Sequence, residues 1–164
     1  MLNDLSIRGV TANMLKKMIY NLINSIFAGI MIGIGGTVYI LCENNYIGAI
    51  LFGFGLFVIV CFKFGLYTGK VGYIPIKKPS YIFEVIISFI GNGIGVCITG
   101  LLMMMTRFAD KLSSNALIIV EQKLSDTLLS SFILAIFCGM LMYIAVESNK
   151  LFDDKTNHLG ATIG

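Results

Sequence analysis

The sequence predicts an all-α integral membrane protein with about four transmembrane helices, the second of them broken. Three observations predict it. First, 13% of the 164 residues are charged and 57% are hydrophobic, against roughly 25% charge in a soluble domain. The mean hydropathy is +0.87. Second, apolar runs recur at about the 20 residues that a bilayer core requires. Third, the second run reaches Gly65-Leu66-Tyr67-Thr68-Gly69-Lys70-Val71-Gly72 and then Pro75. Glycine costs a helix interior about 1 kcal/mol and proline about 3, so the helix is expected to stop there. Lipid cannot satisfy the backbone groups such a break frees, so the segment is expected to face protein or a water-filled path. Thr68 is then the expected polar contact on that path.

Composition also excludes several classes. The net charge of +3 is modest and spread over segments flanking the apolar runs, which argues against a nucleic-acid partner and for a lipid one. Cys42, Cys61, Cys97 and Cys138 stand in or beside apolar runs without CxxC spacing, so packing is expected rather than a metal site or disulfide framework. No cofactor is expected. Paired carboxylates, a nucleophile–base pair and a metal cluster are all missing from the apolar runs, so an enzyme is not expected.

In chain order, residues 1–21 read as a cytoplasmic interfacial segment, polar and amphipathic, with Arg8, Lys16 and Lys17, and no cleavable leader is expected. Helix one is expected over 22–41. Its Gly29 and Gly33 are spaced for close helix packing. A nucleotide loop is the other reading of these glycines, but no Lys-Ser/Thr follows and no strand precedes. Cys42–Tyr46 is a tight polar turn. Helix two spans 47–76, broken at 65–72, and leads to the basic turn Lys77-Lys78-Pro79-Ser80. Lys63, inside it, is read either as an intramembrane functional residue or as a side chain snorkelling to the interface.

Helix three is expected over 81–105, with Gly91-Asn92-Gly93-Ile94-Gly95 near its middle. Asn92 either makes an interhelical hydrogen bond, worth about 0.6 kcal/mol, or lines the path. Residues 106–127 are polar enough for an amphipathic surface helix, and 128–146 form helix four. Residues 147–164 read as a charged tail that turns small and apolar, like the opening of a further helix. His158 is expected in a solvated loop.

Lysine and arginine placement sets orientation. An inside N-terminus puts Arg8, Lys16, Lys17, Lys70, Lys77, Lys78, Lys150 and Lys155 inside, and Arg107, Lys111 and Lys123 outside, eight against three.

Phe52-Gly-Phe-Gly-Leu56, nine residues and then Leu66-Tyr67-Thr68-Gly69 resemble the second helix of the formate/nitrite transporter family. Ala28–Gly36 is similar to the family's glycine-rich first helix, and Ile90-Gly91-Asn92 with Gly95 to its third. Lys123-x-x-x-Thr127 through Cys138 to Ala145-Val146 is similar to its fourth. The resemblance implies part of a six-helix inverted-repeat channel in the bacterial inner membrane. It further implies a homopentamer whose subunits each conduct small monovalent anions such as formate, nitrite or hydrosulfide. By the same resemblance, Thr68 is the hydroxyl of the break, and Phe52, Leu56 and Leu66 form hydrophobic constrictions. Lys123 becomes the outer-vestibule lysine. Gly65 stands where the family usually has an acidic or polar residue, and Gly139 where it has asparagine. The family's fifth helix, with its Glu-His-Ser motif, is missing, so an incomplete chain is expected. The contrasting expectation is a complete four-helix subunit that packs with a partner and transports nothing itself.

Overall fold

The structure, a computed structural model, describes the backbone of residues 2–163 and the side chains of residues 12–149. Six helices follow one another: α1 (Leu2–Leu41), α2 (Asn45–Cys61), α3 (Tyr67–Val71), α4 (Tyr81–Met104), α5 (Ala109–Leu124) and α6 (Leu128–Ile163). No strand occurs among the described residues. Three stretches are long and apolar enough to cross a membrane: Ala12–Leu41, Tyr81–Met104 and Leu128–Asn149. The apolar α2 has 17 residues, about 26 Å at 1.5 Å per residue, short of a hydrocarbon core of about 30 Å. Three full-length spans therefore stand where four were expected, with the short α2 followed by an interruption and α3.

Two boundaries also differ from expectation. Residues 1–21 do not form a separate helix, because α1 is continuous from Leu2 to Leu41. Gly9 is the one glycine before Ala28, and no proline intervenes to end the helix. Likewise α6 runs through the expected tail, since neither glycine nor proline stands between Met140 and Leu159. His158 thus lies on a helix rather than in a loop. Its side chain, like those of Arg8, Lys150 and Lys155, lies outside the described residues.

Helices α1 and α2 form an antiparallel pair, with Tyr39 beside Gly48, Gly35 beside Phe52 and Met31 beside Gly55. Asn44 starts α2: its side-chain oxygen accepts from the N–H groups of Tyr46 at 3.0 Å and Ile47 at 3.2 Å, covering donors a helix N-terminus leaves open. Helix α4 runs parallel to α1 at backbone contact. A methyl group at Gly29 would overlap the Asn92 carbonyl, and one at Gly95 would overlap the Ile26 carbonyl. Membrane helices gain little from hydrophobic burial against each other, so such close approach is what holds them together.

Helix α5 lies across the far ends of α1 and α4. Its Leu112 is buried, and the Asn115 amide donates to the last-turn Ile40 carbonyl of α1 at 2.9 Å. The apolar core is small: Ala28, Ile59 and Leu66 are buried, with Leu56, Phe64 and Met142 packed against them. Most other large apolar side chains are exposed, and the apolar span of α6 is buried nowhere along its length. Such faces suit hydrocarbon rather than water.

If backbone contact is what joins α1 to α4, Gly95→Ala should lower stability in detergent by about 1–3 kcal/mol, the usual cost of overpacking. Gly36→Ala is the control, since nothing lies within 4 Å of a methyl there. Thermal unfolding followed by the loss of helical circular dichroism would separate the two; equal midpoints would refute the contact.

Candidate functional site

The interruption falls at Phe62–Leu66, earlier than the 65–72 expected, and the stretch 67–71 is itself helical. The reason is the way α2 ends. Lys63 adopts a left-handed conformation with φ 55°. The Phe64 N–H reaches back to the Ile59 carbonyl at 2.9 Å, and the Lys63 N–H to the Val60 carbonyl at 3.1 Å. This is the Schellman arrangement, which satisfies the end carbonyls of a helix and usually uses glycine at the left-handed position. Its customary apolar contact is present too, with Phe64 packed on the cluster that contains Ile59. Gly69 and Gly72 do not break the chain; their lack of a side chain admits Val146 and Tyr143 of α6.

The freed backbone groups are met inside the protein. The Gly65 N–H donates to the Asn24 carbonyl of α1 at 3.4 Å, and the Leu66 N–H to the Phe64 carbonyl at 2.9 Å. Leu66 opens α3 but has no side chain that can cap it. Asn92, from α4, does so instead. Its Oδ1 accepts from the Tyr67 N–H at 2.8 Å, and its Nδ2 donates to the Gly65 carbonyl at 2.9 Å and the Ser25 carbonyl at 2.7 Å. One buried amide thus ties α1, the interruption and α4 together.

A polar thread continues from it. Ser25 Oγ, fully buried, donates to the Asn21 carbonyl at 2.7 Å and lies 3.1 Å from Ser88 Oγ, also fully buried. The Lys70 ammonium, at the end of α3, donates to Ser88 Oγ at 2.8 Å and to Asn21 Oδ1. Asn21 Nδ2 in turn donates to the Glu84 carbonyl at 3.1 Å, while Lys17 pairs with the Glu84 carboxylate at 2.6 Å. No buried side-chain polar atom among the described residues lacks a partner.

Two cavities flank this region. One, of about 840 Å³, lies between the interruption, α3 and the α6 segment around Tyr143–Asn149, with Leu66, Gly69 and Lys70 in its wall. The other, of about 430 Å³, lies between α1, α2 and α4 and is bounded by α5, with Phe52 and Thr37 in its wall. The residues expected to share one path are thus distributed. Leu66 is buried and Leu56 half-buried, and they meet in one cluster. Phe52 borders the smaller cavity, and its ring lies against Gly35. Thr68 is half-buried, and its hydroxyl makes no hydrogen bond among the described residues. Asn92 has its amide committed to backbone groups. Lys123 is exposed in the last turn of α5 and borders neither cavity.

Sequence reasoning missed Asn21, Ser25, Ser88 and Lys70. The signal is a four-residue period: Lys17, Asn21, Ser25, Gly29 and Gly33 follow one winding ridge of α1, and Glu84, Ser88 and Asn92 one ridge of α4.

These features define a class: a multi-pass helical membrane protein with an interrupted helix whose loose backbone groups are held by its neighbours. A family model described as formate/nitrite transporter matches residues 6–162, nearly the whole chain. The chain belongs to the formate/nitrite transporter family, and at that level it is a membrane anion transporter. Members of this family are channels or transporters rather than enzymes. No curated protein sequence and no solved structure matches the chain.

Two predictions concern the interruption. Asn92→Leu strands the Tyr67 N–H and the Gly65 carbonyl, at about 1–3 kcal/mol for each buried group left unpaired, while the Ser25 carbonyl keeps its bond within α1. Its unfolding midpoint in detergent should collapse, whereas survival within a few degrees of wild type would show the amide dispensable. At Lys63, a β-branched residue is badly placed with positive φ, at a cost of about 1–2 kcal/mol. Lys63→Val should therefore be markedly less stable than Lys63→Gly in the same assay.

Proposed function

We propose that the chain forms a path for small monovalent anions of the formate, nitrite or hydrosulfide class, in a homopentamer of the bacterial inner membrane with the N-terminus in the cytoplasm. The observation that carries this reading is the interrupted helix held by Asn92 between two cavities. Protein satisfies the interruption, so it can stand at membrane depth without exposing backbone to lipid. Leu56 and Leu66 supply an apolar constriction beside it, which a hydrated ion passes only by shedding water or charge. Phe52 narrows the route on the side of the smaller cavity. The Thr68 hydroxyl donates to the passing anion, and Asn92 fixes the wall against which it passes. Lys123 attracts anions on the outer side, where a cation near an entry raises their local concentration. The α6 span, which has no buried residue and a largely exposed apolar face, supports assembly with further copies. That same exposed span is the observation favouring a second reading, a subunit that packs with a partner and conducts nothing.

Thr68 allows a clean test because its hydroxyl holds nothing in the described structure. Thr68→Val should leave thermal stability unchanged and slow formate and nitrite flux into proteoliposomes by about tenfold, the size expected for losing one hydrogen bond to a charged group. Equal flux in the variant and wild type would remove Thr68 from the path. A wild-type protein that passes neither anion would favour the second reading.

A further inference from the structure

The cavity of about 840 Å³ is lined by three lysines, Lys63, Lys70 and Lys77, and by one carboxylate among the described residues, Glu147. The Tyr73 hydroxyl bonds to that carboxylate. Lys63 belongs to the interruption itself and its side chain is exposed, whereas Lys70 reaches back to the interruption from α3: a methyl group at Gly65 would come within 3.3 Å of its ammonium nitrogen. Its own hydrogen-bond partners, Ser88 Oγ and Asn21 Oδ1, are neutral. The carboxylate on the adjoining face of α4, Glu84, is paired with Lys17. The hydrogen bonds therefore orient the charge of Lys70, and the carboxylate that acts on it, Glu84, is shared with Lys17. An ammonium has three donors, and two are used by Asn21 and Ser88.

We infer that Lys70 is a specificity-determining residue: an ammonium pinned by Asn21 and Ser88 at the foot of the interruption, which binds a small monovalent carboxylate or oxyanion in the larger cavity beside Leu66. This rests on the anion-path reading proposed above. Low-dielectric walls strengthen the attraction of such a fixed charge for an anion. The remaining donor gives it a directional contact, and charge-assisted hydrogen bonds are among the stronger kind.

The test is formate flux into proteoliposomes against formate concentration, for wild type, Lys70→Gln, Lys70→Met and Lys70→Arg, with thermal stability measured alongside. Removing the charge should raise the half-saturating formate concentration at least about tenfold, as expected when a hydrogen bond to a charged group is lost. Lys70→Arg should stay within about threefold, because charge and donors remain. A Gln or Met variant that saturates where wild type does, with only its melting point lowered, would reduce Lys70 to a staple and overturn the inference while leaving the anion path standing. Wild type without formate flux would remove both. Should neither neutral variant fold, Ser88→Ala decides: it keeps the charge but loses an anchor, so half-saturation should rise about threefold, and an unchanged value overturns the proposal.

Discussion

Backbone amides and carbonyls cannot be left open in hydrocarbon, and the rest of this structure follows from meeting that requirement at Phe62–Leu66. The Schellman turn closes the end of α2, and the Asn92 side chain then serves both sides of the gap, accepting from Tyr67 and donating to Gly65. It can reach only because α4 lies against α1 at backbone distance. Gly29 and Gly95 create that distance, while Ser25 and Ser88, buried between the helices, meet each other's polar needs. Small residues, a buried amide and an interrupted helix are therefore one device. Each of them is costly in a membrane without the other two.

The electrostatics follow the same geometry. Lys17, Glu84, Asn21, Ser88 and Lys70 form a chain of contacts from the exposed edge of α1 to the foot of the interruption. The Lys17–Glu84 pair is partly exposed and contributes little stability by itself, since surface ion pairs are commonly worth 0–1 kcal/mol. Its effect lies in sharing with Lys17 a carboxylate whose charge also acts on Lys70. The smaller cavity has a different character, with apolar walls beneath α5 and Thr37 turned back onto the Gly33 carbonyl.

Much of this was legible in the residues. The apolar runs announced helices and a membrane, and the glycines at 29, 33, 91 and 95 announced close packing. Asn92 stood out as the strongly polar side chain of its run, and the interhelical bond was one of its two readings. What was not legible has physical causes. The residues point to an interruption later than the one observed, because glycines 69 and 72 look like breakers, whereas a lysine takes the left-handed position at 63. The polar N-terminal residues suggest a segment separate from α1, yet polarity without proline does not end a helix. The role of Lys70 needed three-dimensional information: Asn21, Gly65 and Ser88 come together only once α1, α3 and α4 have assembled.

One feature of the packing constrains how the molecule can move. Where α1 and α4 touch through bare backbone, no layer of side chains lies between them to slide or change rotamer, so the two helices behave as a single stiff strut. The elements beside the larger cavity meet differently: α3 is five residues long and leans on α6 where Gly69 and Gly72 admit Val146 and Tyr143. The short segment and its partner helix are then the elements left to tilt against a stationary pillar.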